Sequence, residues 1–202
     1  ASEDIYLKII KQPFVQELKA GTLPRPKFEF YMQQDALYLR GFAEVLGKIA
    51  DRLPDAEDSL RYSTFSQEAM GAEQHLHAHY LNGKPGRAEP ACHHYLSYLF
   101  ASLERDPLPV ALASVLPCFV IYQEVGTYIY NTAETEKNPY RDWIALYSGT
   151  AFRASVTAAI AITEKHAGAF SGDMLRAYVT AAELEYLFWD AAFEEKRWLK
   201  SS

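Results

Sequence analysis

The sequence predicts an all-α protein, an antiparallel bundle of seven or eight helices joined by short connections. Apolar residues recur at helical spacing in nearly every segment, and no alternating run long enough for a strand appears. Proline, glycine and polar clusters punctuate these segments without forming a linker that would divide the chain. There is no internal repeat. The expected organisation is therefore one helical domain over residues 1–202.

Residues 3–20 read as a short helix pair, or one bent helix, ending near Gly21. Pro26 suits the first position of a long helix over roughly 26–53, since its missing N–H has no helical partner there anyway. A third helix covers 56–82, with Asp55, Glu57 and Asp58 at the end where the helix dipole favours acids. The segment NGKPGRAEPA, 82–91, is the clearest loop. A helix over about 91–104 follows, then Asp106 and Pro107. A polar turn over 131–139 ends in Asn138 and Pro139, and one or two helices fill 140–166 with a break near Tyr147–Gly149. After Gly168–Gly172, a long closing helix is expected over 173–199.

Between these lies Val110–Tyr130, VALASVLPCFVIYQEVGTYIY, too continuously apolar for a surface helix and so read as buried. Pro117 should kink it by clashing with the Ala113 carbonyl. Cys118 follows directly, and Tyr122, four residues on, shares its face. A central helix that offers a thiol and a phenol to one cavity is a candidate site.

Composition narrows the possibilities. With 202 residues, 49% hydrophobic and 14% aromatic, the chain can bury a sizeable core and is not disordered. A net charge of −6 argues against a nucleic-acid partner. Glu3, Asp4, Lys8 and Lys11 exclude a secretory apolar region at the start. The longest uncharged run, Pro107 to Gln123, holds three prolines and falls short of a spanning length, so no membrane partner is expected. Two cysteines without a spacing pattern indicate a reducing compartment, most simply the cytoplasm; a Cys92–Cys118 disulfide is the lesser reading.

Several polar residues stand out. Asp35 shares a helical face with Tyr31 and Tyr38, and the flanking Phe30, Leu37 and Phe42 indicate burial, which would oblige the carboxylate to find a partner. Glu185 shares a face with Ala181, Ala182, Phe188 and Trp189, while Glu183 points elsewhere. Either Glu185 is a buried general acid with a raised pKa, or it is a surface residue at the edge of the stripe. Cys92, at a helix start beside His93 and His94, has the local setting that lowers a thiol pKa; Cys118, among apolar neighbours, has the setting of an inert core residue. The residues alone do not choose Cys118.

Five of the six histidines fall between His75 and His94. His75 and His79 share a face and could join Cys92 on zinc, yet the His-Glu-x-x-His, Glu-x-x-His and Cys-x-x-Cys patterns are all missing, so no metal is expected. Tyr95, Tyr98, Tyr122, Tyr128, Tyr140, Tyr147 and Trp143 exceed ordinary core needs. Phenols converging with carboxylates and a thiol would make a pocket for a flat, nitrogen-rich ring.

Five stretches carry a family resemblance: PFVQELKAGTLP (13–24), FYMQQDALYL (30–39), LPCFVIYQEVG (116–126), NPYRDWIALYSG (138–149) and ELEYLFWDAAF (183–193). In order and over nearly the whole chain, they resemble the TenA family, the thiaminase II or aminopyrimidine aminohydrolase proteins, in its cysteine-containing branch. The resemblance implies a haem-oxygenase-like all-α bundle without haem, a homotetramer, and no metal or organic cofactor. It implies a catalytic Cys118, a pyrimidine-binding Asp35 with Tyr38 beside it, pocket tyrosines at Tyr95, Tyr122 and Tyr147, and a catalytic Glu185. The implied reaction releases the amine from an aminopyrimidine, or cleaves thiamin, to give hydroxymethylpyrimidine for thiamin salvage. The other reading of the same bundle is a non-catalytic pyrimidine-binding or regulatory protein. Phe119, where the family often has Trp or Tyr, and the segment ACHHY depart from the pattern.

Overall fold

The structure, a computed structural model, describes residues 2–80 and 86–199, with the backbone alone for residues 2 and 73–79. Among the described residues it has nine α-helices and a short 3-10 turn. These are α1 (Ser2–Lys11), α2 (Pro13–Ala20), α3 (Arg25–Arg52), α4 (Ala56–Tyr80), α5 (Pro90–Arg105), α6 (Leu108–Thr132), α7 (Arg141–Ser148), α8 (Thr150–Lys165) and α9 (Ser171–Phe193). The chain is all-α, with one or two more helices than the spacing predicted, because the bent first segment and the 140–166 segment each divide in two.

The breaks have local causes. Gly21, at φ 69°, ends α2, and the Asn138 side chain donates to the Leu18 and Lys19 carbonyls of its last turn, at 2.9 and 3.2 Å. The same side chain accepts the Tyr140 N–H at 2.9 Å, which docks the turn before α7 against α2. Asp55 opens α4 by accepting the N–H groups of Glu57 and Asp58 at 3.0 and 3.1 Å. Pro117 does not divide α6, which is a single element from Leu108 to Thr132.

The closing helix is shorter than expected. It stops at Phe193, and Glu195 takes a left-handed φ of 49°. The charged run after Phe193 looks helical in sequence but has lost the apolar stripe that would hold a further turn on the core. The tail instead turns back across the start of α5, where Trp198 donates its backbone N–H to Glu89 at 2.8 Å and its indole N–H to the Ala88 carbonyl at 2.9 Å.

The α3–α4 hairpin packs on one side and α6, α7 and α9 on the other. α6 is long and apolar enough to cross a bilayer, but most of it is buried inside the bundle, and it serves as the core helix. Small residues on α9, Ala181 and Ala182, are buried and let it lie close to its neighbours. Both cysteines are free and buried.

Candidate active site

One cavity of about 330 Å³ opens between α3, α4, α6, α7 and α8. Asp35, Cys118, Tyr122 and Tyr147 supply its reactive groups, and Phe42, Phe65 and Phe119 much of its apolar wall. Asp35 arrives there because it repeats with Leu39, Phe42 and Leu46 along one face of α3. Cys118 and Tyr122 arrive together because they are one turn apart on α6. Glu68 and Ser155 form part of the wall on the α4 and α8 side, where Ser155 donates to Glu68 at 2.8 Å and Arg61 donates to Ser155 at 3.0 Å.

Behind Cys118 lies a second layer. Tyr38, Tyr95 and Glu185 are each 1% exposed and sit within the wall instead of on the cavity surface. Tyr95 Oη donates to Glu185 Oε1 at 3.0 Å, and the Tyr38 and Tyr95 rings lie 4.8 Å apart. The Tyr38 hydroxyl makes no hydrogen bond of ordinary geometry, but its dipole faces Cys118 and favours the thiolate. The Trp189 indole lies beside the Glu185 carboxyl.

Electrostatics follow from burial. Desolvation pushes the Glu185 carboxyl up to about 8; the Tyr95 hydroxyl works against that shift, and the Asp35 charge adds to it. The second reading of Glu185, a surface residue at the edge of the stripe, does not hold. Burial also holds the Cys118 thiol well above its ordinary range, with the nearby Glu185 acting in the same direction. At rest it is a thiol.

Cys92 reverses the local sequence argument. It is 1% exposed, its thiol donates to the Gln34 carbonyl at 3.5 Å, and burial pushes its pKa up to about 12. The neighbouring His93 and His94 are exposed, and His93 packs on Trp198. Proximity in sequence placed imidazoles beside the thiol; the helix turns them away from it. Of the histidine cluster, His75, His77 and His79 lie outside the described side chains, and among the described residues no three His, Cys, Asp or Glu side chains gather as a metal site.

Two site neighbours went unassigned from sequence, Tyr31 and Trp143. Trp143 Nε1 donates to Tyr31 Oη at 3.1 Å, and Tyr31 Oη lies 3.3 Å from Tyr122 Oη. For Tyr31 the signal was present, one turn before Asp35 on the same face. For Trp143 nothing local distinguishes a core indole from one in a polar chain.

The fold and the site together define an all-α bundle that closes around one aromatic-walled cavity, with a thiol and a carboxyl group on its surface. The TENA/THI-4/PQQC family profile matches residues 1–195, and the chain belongs to that family. It is 35% identical over 200 residues to the thiamine biosynthesis multifunctional protein ThiED of Corynebacterium glutamicum, a match covering 95% of this chain and 26% of that protein. The chain thus spans about a quarter of that curated relative. It is 29% identical over 202 residues to the aminopyrimidine aminohydrolase of Bacillus subtilis, covering 94% of this chain and 85% of the relative. A solved TenA homologue from P. horikoshii OT3 superposes with a TM-score of 0.83 at 24% identity, covering 96% of this chain and 94% of that one. The fold is the haem-oxygenase-like bundle that the resemblance implied.

Proposed function

We propose that the protein is an aminopyrimidine aminohydrolase of thiamin salvage, replacing the exocyclic amine of 4-amino-5-aminomethyl-2-methylpyrimidine by hydroxyl through a Cys118 nucleophile. The observation that carries this reading is the meeting of Asp35 and Cys118 on one cavity with Glu185 in its wall, three groups from three helices. The name of the Bacillus relative supports the substrate class. A homotetramer and a cytoplasmic setting, which the two free thiols fit, belong to the same reading.

The chemistry balances without a cofactor. As the Cys118 sulfur bonds to an electron-poor ring carbon, its proton passes to a ring nitrogen, and Asp35 stabilises that N–H and the 4-amino group. The ring electrons then expel the exocyclic amine, which leaves with the proton held by Glu185. Water adds to the exocyclic methylene and gives a proton to the Glu185 carboxylate. Breakage of the C–S bond restores the aromatic ring and the thiol. Tyr122 and Tyr147, whose rings are 4.8 Å apart, flank the guest, while Tyr38 and Tyr95 hold Cys118 and Glu185.

Incubation with this aminopyrimidine and measurement of ammonia release tests the proposal. Stoichiometric release over many turnovers supports it; saturable binding with no release would leave a binding protein on the same bundle and sink the hydrolase.

A further inference from the structure

Tyr31 and Trp143 are fully buried behind the cavity wall, and neither has a part in the reaction above. Phenylalanine at both positions would serve packing without desolvating a phenol and an indole N–H. Their polar atoms form part of a line. Trp143 Nε1 donates to Tyr31 Oη at 3.1 Å, Tyr31 Oη donates to Tyr122 Oη at 3.3 Å, and Tyr122 Oη donates to Asp35 Oδ1 at 3.5 Å. The last is the longest of the three.

The two ends of this line fix its direction. An indole nitrogen only donates, and an ionised carboxylate only accepts. The hydroxyls between them could point either way in isolation. With Trp143 at one end, the Tyr31 oxygen is already occupied as an acceptor, and only one arrangement gives every proton an acceptor. Burial raises the Tyr31 and Tyr122 phenols well above their ordinary range, so both keep their protons.

We propose that Trp143 and Tyr31 are positioning residues: a one-way hydrogen-bond line from the indole through two phenols aims the Tyr122 proton at Asp35 and holds that carboxyl as an ionised acceptor on the cavity. This rests on the reading of Asp35 as the carboxylate that binds the guest ring. Among the described residues, the other titratable groups around Asp35 are Cys92 of α5, Cys118 of α6, Tyr147 of α7 and Glu185 of α9. Glu68 of α4 lines the same cavity. Each of these is an acid, so none of them offers the Asp35 carboxylate a positive charge, and the phenol line is what faces it with a donor.

The test is an infrared pH titration of unliganded protein labelled with carbon-13 at the aspartate side-chain carboxyl, the Asp35 band being the one lost in Asp35→Asn. Tyr31→Phe, Trp143→Phe and the double variant are compared with the parent. The expected result is a rise of about half to one pH unit in the Asp35 midpoint in each single variant, with the double variant no higher than the larger single. A purely structural role would lower the melting temperature and leave the midpoint in place, which would overturn the proposal. Additive shifts in the double variant would overturn it too, because the two residues would then act separately. If Trp143→Phe does not fold, Tyr31→Phe cuts the same line and decides alone. Absence of turnover in the parent would count against the hydrolase reading and leave this titration as informative as before.

Discussion

Glu185 keeps its proton through neutral pH because its carboxyl lies in the core on a helix face shared with Ala181, Ala182, Phe188 and Trp189, all buried. Its proposed role as the acid requires that proton, so turnover should decline as pH rises through about 8, a limb visible in a kcat–pH profile. Stability should follow the same group. The free carboxyl titrates near 4.5 and the buried one near 8, so across that window the folded state holds a proton the unfolded state has released. Stability therefore falls as pH rises from 4.5 to 8 and levels off above. Denaturant melts of Glu185→Gln should lose this slope, gaining on the order of 3–5 kcal/mol relative to the parent at alkaline pH. The thiols give a sharper contrast. Cys118→Ser should lower ammonia release by a factor on the order of 10³ or more and still bind the aminopyrimidine, as read by calorimetry. Cys92→Ser, whose sulfur donates to the Gln34 carbonyl and does not line the cavity, should remain active within a few-fold; a dead Cys92 variant beside an active Cys118 variant would reverse the assignment.

At the scale of elements, the cavity depends on how closely α6 approaches α7. Gly126 makes that approach possible: a Cβ built there would lie 2.8 Å from the Tyr147 carbonyl carbon and 2.8 Å from its Cβ. A glycine inside a helix costs about 1 kcal/mol relative to alanine, and here the contact explains it. Gly126→Ala should therefore destabilise the fold by about 1–3 kcal/mol, because backbone must move, and should weaken aminopyrimidine binding by displacing the Tyr147 ring. Urea melts and calorimetric titration of the one variant measure both effects. Periodicity and punctuation were enough to find most helices to within a few residues, since each buries one apolar stripe. They failed at 194–199, where a helix-forming composition has no stripe to bury, while the break expected near Tyr147–Gly149 falls at Gly149, between α7 and α8.

Over the whole molecule, the last described residues hold the start of α5. The Trp198 bonds to Ala88 and Glu89 fasten a segment that Gln34 also grips, through Glu89 N–H at 2.7 Å and the Arg87 carbonyl at 3.3 Å. Trp198→Ala should cost about 1–2 kcal/mol in thermal or denaturant unfolding while leaving turnover unchanged, because none of its contacts reaches the cavity. The sequence by itself determined the all-α class, the burial of α6, and the pairing of Asp35 with its tyrosine neighbours. It did so because one turn of helix fixes which side chains share a face. Only the tertiary structure placed Cys118 on the cavity and Cys92 away from it, put Glu185 in the core, and lined up Trp143, Tyr31 and Tyr122 behind Asp35. Those outcomes depend on which helix faces meet across the bundle, and helical spacing says nothing about what stands opposite.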